Sequence, residues 1–171
     1  EIILKVIDQL EDGKPAREIN FSKDDFFFVK KLNLLTFKPV LFVANVDEES
    51  SVDGNDYSHE LTKLGASKGI KTITMSAKLE SEISEISNIE ERNEFLIALN
   101  LVESGLEKLA KAGYDLLDLV TYFTAGPKEV RAWTIKKGTI AKDAAGKIHD
   151  DFSRGFIAAE TISFNDYIKL G

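Results

Sequence analysis

The chain has 171 residues, enough for one good core or two small ones, and its 43% apolar and 30% charged residues are the balance of an ordinary globular chain. The absence of cysteine excludes disulfide-linked partners and thiolate metal sites, and the apolar runs are too short to cross a bilayer, so no membrane partner is expected and a reducing, cytoplasmic setting fits. A net charge of −7 excludes a protein that simply coats nucleic acid, although the excess lies wholly before Tyr114, and Lys128, Arg131, Lys136, Lys137, Lys142 and Lys147 oppose only Glu129 and Asp143 between residues 126 and 147.

The first residues, EIILKVIDQLE, enter directly on an amphipathic pattern with no initiator methionine, which reads as a fragment boundary. Ile3, Val6, Ile7 and Leu10 share a helical face, and Gly13 and Pro15 stop it. Ser22 and Asp25 resemble a capping box ahead of Phe26, Val29, Leu32 and Leu35, predicting a second helix near 23–35. Val40 to Ala44 is a short unbroken apolar run, expected as a strand covered on both faces. The acidic stretch Asp47 to Asp56 reads as a solvated loop. Tyr57 to Lys68 reads as a helix with Leu61 and Leu64 inward and Gly69 closing it, and Ile70 to Met75 as a second strand. Strand, helix, strand with short connections is a βαβ unit, in which ligands bind beyond the carboxyl ends of the strands, here Asn45 and Ser76.

A long helix is expected over 89–112 from the spacing of Phe95, Leu99, Val102, Leu106 and Leu109, with Gly113 after it. The period then switches to two. Leu119 to Thr124 and Val130 to Lys136 flank Gly126-Pro127 as a hairpin, Thr139 to Ala145 is a short helix ended by Gly146, and Gly155 to Ile162 is a further strand before a last helical turn capped by Ser163. Hairpin, helix, strand is the opening of a β-grasp. The fold class is therefore α/β: part of a parallel nucleotide-binding sheet with helices, followed by a β-grasp module. The expected divisions are the helical segment over 1–36, the βαβ segment over 37–88, a bridging helix over 89–113 and the β-grasp over 114–171.

The residues that carry chemistry are Asn45-Val46-Asp47-Glu48 at the end of one strand and Ser76-Ala77-Lys78 at the end of the next. Two polar strand ends side by side above a parallel sheet are where doubly wound folds read a nucleobase. The bland alternative makes Asn45 a turn residue and Asp47 and Glu48 the start of a loop.

The run Lys38 to Glu48, together with Ser76-Ala77-Lys78-Leu79-Glu80, resembles the base-recognition elements of the YchF subfamily of Obg-like P-loop NTPases. The resemblance continues over Leu116 to Gly155, notably Thr121-Tyr122-Phe123-Thr124, Arg131-Ala132-Trp133, Lys137-Gly138-Thr139 and Ile148 to Phe152, which look like that family's TGS domain. Most members of the wider superfamily carry Asn-Lys-x-Asp, whose Asp accepts from guanine N1 and N2. Here Val46 and Glu48 replace the Lys and the Asp. An Asn amide pairs well with adenine N6 and N7, so the resemblance implies ATP preferred over GTP. It implies Asn45 and the Val46 backbone at the adenine edge, Glu48 shaping the pocket, and Ser76 and Ala77 lining it. ATP or GTP with Mg2+ is the implied cofactor of a longer parent, and the ribosome or RNA its implied partner. Gly-x-x-x-x-Gly-Lys-Ser/Thr is absent from this sequence, so no catalytic residue is assigned and the segment alone is expected to be inactive in hydrolysis.

Arg131, Lys136 and Lys137 form a candidate RNA or partner face, with Trp133 and Tyr122 beside them as stacking candidates or core residues. His149 with Asp150 and Asp151 is better read as a polar corner than as a metal site, and no metal site is assigned. The rival to a nucleotide switch is a non-enzymatic β-grasp that binds RNA or protein.

Overall fold

In the computed structural model, which describes residues 1–170, α1 spans Ile2–Glu11 and turns Val6 inward. Ser22 accepts the Asp25 N–H at 3.2 Å and so caps α2, Lys23–Lys31. That helix stops before residue 35 because Asn33 adopts φ 54°, and a left-handed residue ends the helical ladder. Val6, Ala16, Ile19 and Val29 close a small core of their own.

Strands β1, Phe42–Asn45, and β2, Thr72–Met75, pair in parallel with Phe42 opposite Thr72 and Asn45 opposite Met75. Between them runs α3, Asp56–Ser67, started by a reciprocal capping box of Asn55 and Ser58. Three further helices follow: α4 over Ala77–Glu85, α5 over Ile89–Ala98 and α6 over Gly105–Leu116. The parallel βαβ unit is as expected. Its covering is not symmetrical, because α3 lies against both strands whereas α6 packs on β2, so Val43 remains 42% exposed. Leu64 is exposed too. The face α3 turns inward carries Ser58 and Gly65, because the missing Cβ of Gly65 lets the helix settle on the sheet: a Cβ there would meet Thr72 Oγ1 at 2.4 Å and the Ile70 carbonyl at 2.6 Å.

The single helix expected over 89–112 is two helices. Asn100 takes φ 56° after α5, and Ser104 and Glu107 exchange backbone N–H bonds at 3.2 Å to start α6. Val102, read as part of an apolar stripe, lies in this break and is 99% exposed. Ser-x-x-Glu was the legible signal for that start. Helix α4, unassigned from the sequence, buries Leu79 and Ile83 one turn apart against Leu96 and Leu101.

The chain divides into two units, Glu1–Leu116 and Leu117–Gly171. In the second, β3, Leu119–Ala125, and β4, Val130–Lys136, form the expected antiparallel hairpin with Tyr122 opposite Trp133. Helix α7, Ala141–Ile148, runs through Gly146 instead of ending there. A Cβ at Gly146 would stand 3.0 Å from the Ser153 Cβ of α8, Asp150–Arg154, so this glycine serves close helix approach. Gly155 to Ile162 is not a strand: an extended run needs a sheet edge to bond to, no described residue pairs with it, and Ile157 is 94% exposed. Ser163 caps α9, Phe164–Leu170, as expected. No described residue of this second unit is fully buried, so the hairpin ladder and the half-buried Tyr122 and Trp133 carry its order.

Candidate base-binding site

The register of the parallel pair places Asn45 opposite Met75, so the two strands end together and their next residues lie side by side. The Val46 N–H extends the ladder by one bond to the Met75 carbonyl at 3.0 Å, and its side chain is buried. Asn45 Oδ1 then accepts the Ala77 N–H at 2.9 Å, joining residues 32 apart in sequence. That bond anchors the Asn45 carboxamide by its oxygen, and the same amide carries two Nδ2 hydrogens as donors. The Ser76 side chain, only 2% exposed, does not face the opening: its hydroxyl caps α4 through the Leu79 N–H at 3.4 Å. Ser76 therefore holds the turn that presents Ala77, and only its backbone can line a pocket.

Across this edge Glu48 forms an ion pair with Lys78. The Lys78 ammonium, by hydrogen bond and then by charge, holds the Glu48 carboxyl below the usual glutamate range, and Glu48 in turn pushes Lys78 upward. A carboxyl held low gives up its partner only as pH falls through that lowered value, and the pair is intact above it. The amide signals of Ala77 and Lys78 are accordingly expected to stay flat through neutral pH and to move with a midpoint below the usual glutamate value. A midpoint at or above that value in an NMR pH titration contradicts the pairing.

The acidic loop is more ordered than a merely solvated run. Asp47 Oδ1 accepts the Ser50 N–H at 2.8 Å, and hydrogen bonds from the Ser50 side chain and backbone lower the Asp47 pKa. The Gly54 N–H closes the loop on the Ser50 carbonyl at 2.8 Å. Behind the site, Glu80 is 6% exposed and its two carboxylate oxygens accept the Gly105 and Leu106 N–H groups at 2.6 and 3.1 Å. The turn that carries Ala77 and Lys78 is thus locked to the start of α6 through one side chain, a link no periodicity argument found. A groove of about 440 Å3 runs elsewhere, along Lys71, Thr72, Thr74, Lys108 and Lys111. Lys71 pairs with Asp115 at 3.0 Å and Lys111 with Glu103, so most of its charge is internally neutralised and it does not resemble an anion site.

In the second unit the Arg131 guanidinium sits 4.3 Å above the Trp133 ring and 3.8 Å from Glu129, so one face of that indole is already covered. The half-buried Tyr122 donates its hydroxyl to the Ala144 carbonyl at 2.7 Å, and burial raises its pKa. Lys136 Nζ donates to the Leu117 carbonyl, and Lys137 stands exposed beside it. His149 Nδ1 accepts the Asp151 N–H at 3.2 Å as the cap of α8.

The chain is 47% identical over its whole length to the protein named Ribosome-binding ATPase YchF of Bacillus subtilis (strain 168), spanning 47% of it. It is 44% identical over 98% of its length to the protein of the same name in Escherichia coli O157:H7, spanning 46% of that one. The solved structure of the Schizosaccharomyces pombe YchF GTPase matches with a TM-score of 0.79 at 38% identity, covering 91% of this chain and 42% of that one. Residues 119–171 match the family described as YchF-GTPase_C, a protein of unknown function (DUF933). The chain spans about half the length of the curated relatives it matches.

Proposed function

Because this chain belongs to the YchF family, we propose that its paired strand ends are the base-reading edge of the nucleotide site of a ribosome-binding ATPase, with adenine favoured over guanine. The observation that carries the reading is the Asn45–Ala77 bond, which orients a carboxamide at the open end of a parallel sheet. From that position the Nδ2 hydrogens suit donation to a purine N7. The remaining lone pair of Oδ1 and the Val46 carbonyl are acceptors for an adenine N6–H. The names of the relatives differ over the nucleotide, one group being called ATPases and the solved structure a GTPase, so base selectivity rests here on the chemistry of the edge.

The residues present fit the base of ATP or GTP and not its phosphates. Mg2+ and the phosphates need a backbone loop, a Lys and a Ser/Thr hydroxyl from a motif this sequence does not contain. ATP bound in a longer protein supplies the phosphoryl group. The part of this chain is to bind and orient the adenine, with Asn45 at its edge, Glu48 and Lys78 bounding the pocket and Ala77 lining it, and the chain alone does not hydrolyse ATP. The second unit, read as a TGS domain, is the proposed ribosome or RNA face through Arg131 and Lys137, with Lys136 beside them. The setting is cytoplasmic.

Titrating AMP into the isotope-labelled chain is expected to shift the Asn45 side-chain amide and the Ala77 N–H with millimolar affinity, since base contacts alone supply about 4 kcal/mol. Asn45→Ala is expected to weaken that binding about tenfold. Shifts that survive the substitution unchanged contradict the assignment.

A further inference from the structure

Resting on the base-site reading above, we propose that Lys78 is a specificity-determining residue, one that keeps guanine out by holding the carboxylate of Glu48 in an ion pair. Guanine differs from adenine at one edge: it presents N1–H and N2–H donors where adenine offers a lone pair at N1. A free carboxylate at the rim of the site accepts both guanine hydrogens at once and repels the adenine lone pair. Three carboxylates follow Asn45 closely; Glu49 is exposed, and the structure engages the other two. Asp47 is turned into its own loop by the Ser50 N–H and hydroxyl. Glu48 reaches across to Lys78, 30 residues away and next to the Ala77 that Asn45 binds.

The site therefore contains the acceptor that would read guanine, with its charge already matched. Lys78 and Glu48 come from opposite sides of the opening, so their pairing also closes that flank of the pocket. The Lys78 side chain is 70% exposed, and exposed pairs are weak, which bounds the effect to a modest change in selectivity and not an absolute bar.

The test compares AMP with GMP on the chain, read at the Asn45 side-chain amide and the Ala77 N–H, in Lys78→Met and in Lys78→Met with Glu48→Ala. Lost attraction for the phosphate affects both nucleotides alike and cancels in their ratio. Lys78→Met is expected to raise GMP affinity relative to AMP about fivefold, and the added Glu48→Ala to abolish that gain. An unchanged ratio in Lys78→Met, with AMP still binding at Asn45, overturns this proposal and leaves the base site standing. A gain that persists without Glu48 overturns it as well. If neither nucleotide moves those signals in the unsubstituted chain, the base-site reading fails and this proposal with it.

Discussion

Replacing Glu80 by alanine is expected to destabilise the first unit by about 3 kcal/mol, a fall in Tm on the order of 10 °C. The magnitude follows from what the side chain holds. Glu80 is almost fully buried, and both its oxygens bind N–H groups of the first turn of α6, donors that have no partner inside a helix. A carboxylate at a helix N-terminus gains from the macrodipole as well as from the two bonds. Alanine strands both donors beside a small cavity where water is largely excluded, whereas glutamine keeps the volume and one acceptor. Glu80→Gln should therefore lose about half as much. The same lock joins α4 to α6, so Glu80→Ala should also speed amide exchange at Gly105 and Leu106 before the rest of the unit opens. A thermal melt within a degree or two of the unsubstituted chain contradicts this reading.

Gly65→Ala separates helix propensity from packing. Propensity alone predicts a gain of about 1 kcal/mol, since Gly65 lies inside α3 with ordinary helical geometry. The added Cβ, however, meets the Ile70 carbonyl at 2.6 Å and Thr72 Oγ1 at 2.4 Å, and Ile70 is held in the turn that leads into β2 by its N–H, which donates to the Gly65 carbonyl at 2.8 Å. Overpacking of this kind costs about 1–3 kcal/mol, so after the propensity gain the net result is expected to be destabilising by about 1 kcal/mol. Thr72 Oγ1 is buried with no hydrogen-bond partner among the described residues. Trimming it with Thr72→Ala in the Gly65→Ala background should recover part of the loss, because only the carbonyl contact then remains. Denaturant melts of the two variants decide the matter, and a stabilised Gly65→Ala contradicts the close approach of α3.

Local signals in the sequence reached far into this fold. The two parallel strands, the hairpin around Gly126-Pro127, the caps at Ser22 and Ser163 and the α/β class were all legible, because each rests on short-range periodicity or turn chemistry. What escaped was decided by partners distant in sequence. The apolar spacing from Phe95 to Leu109 is continuous, yet Asn100 and the Ser104–Glu107 box break it so that α6 can start against Glu80. Gly146 read as a stop and proved to be a contact with Ser153. The strand expected over Gly155 to Ile162 found no edge among the described residues. At the site, Asn45 and Ala77 were legible as neighbours because the βαβ pattern aligns strand ends. Ser76 as a buried cap and Lys78 as the partner of Glu48 were not, since both depend on side-chain directions that spacing does not carry.

In the proposed site adenine is read at Asn45 and Ala77. The most direct measurement is a set of intermolecular NOEs from the base protons of AMP to the labelled chain. Adenine H8 lies next to N7, so this placement predicts cross-peaks from H8 to the Asn45 side-chain amide, supported by contacts to Ala77. Cross-peaks running instead to Trp133 and Arg131 of the hairpin would place the base on the second unit and contradict it.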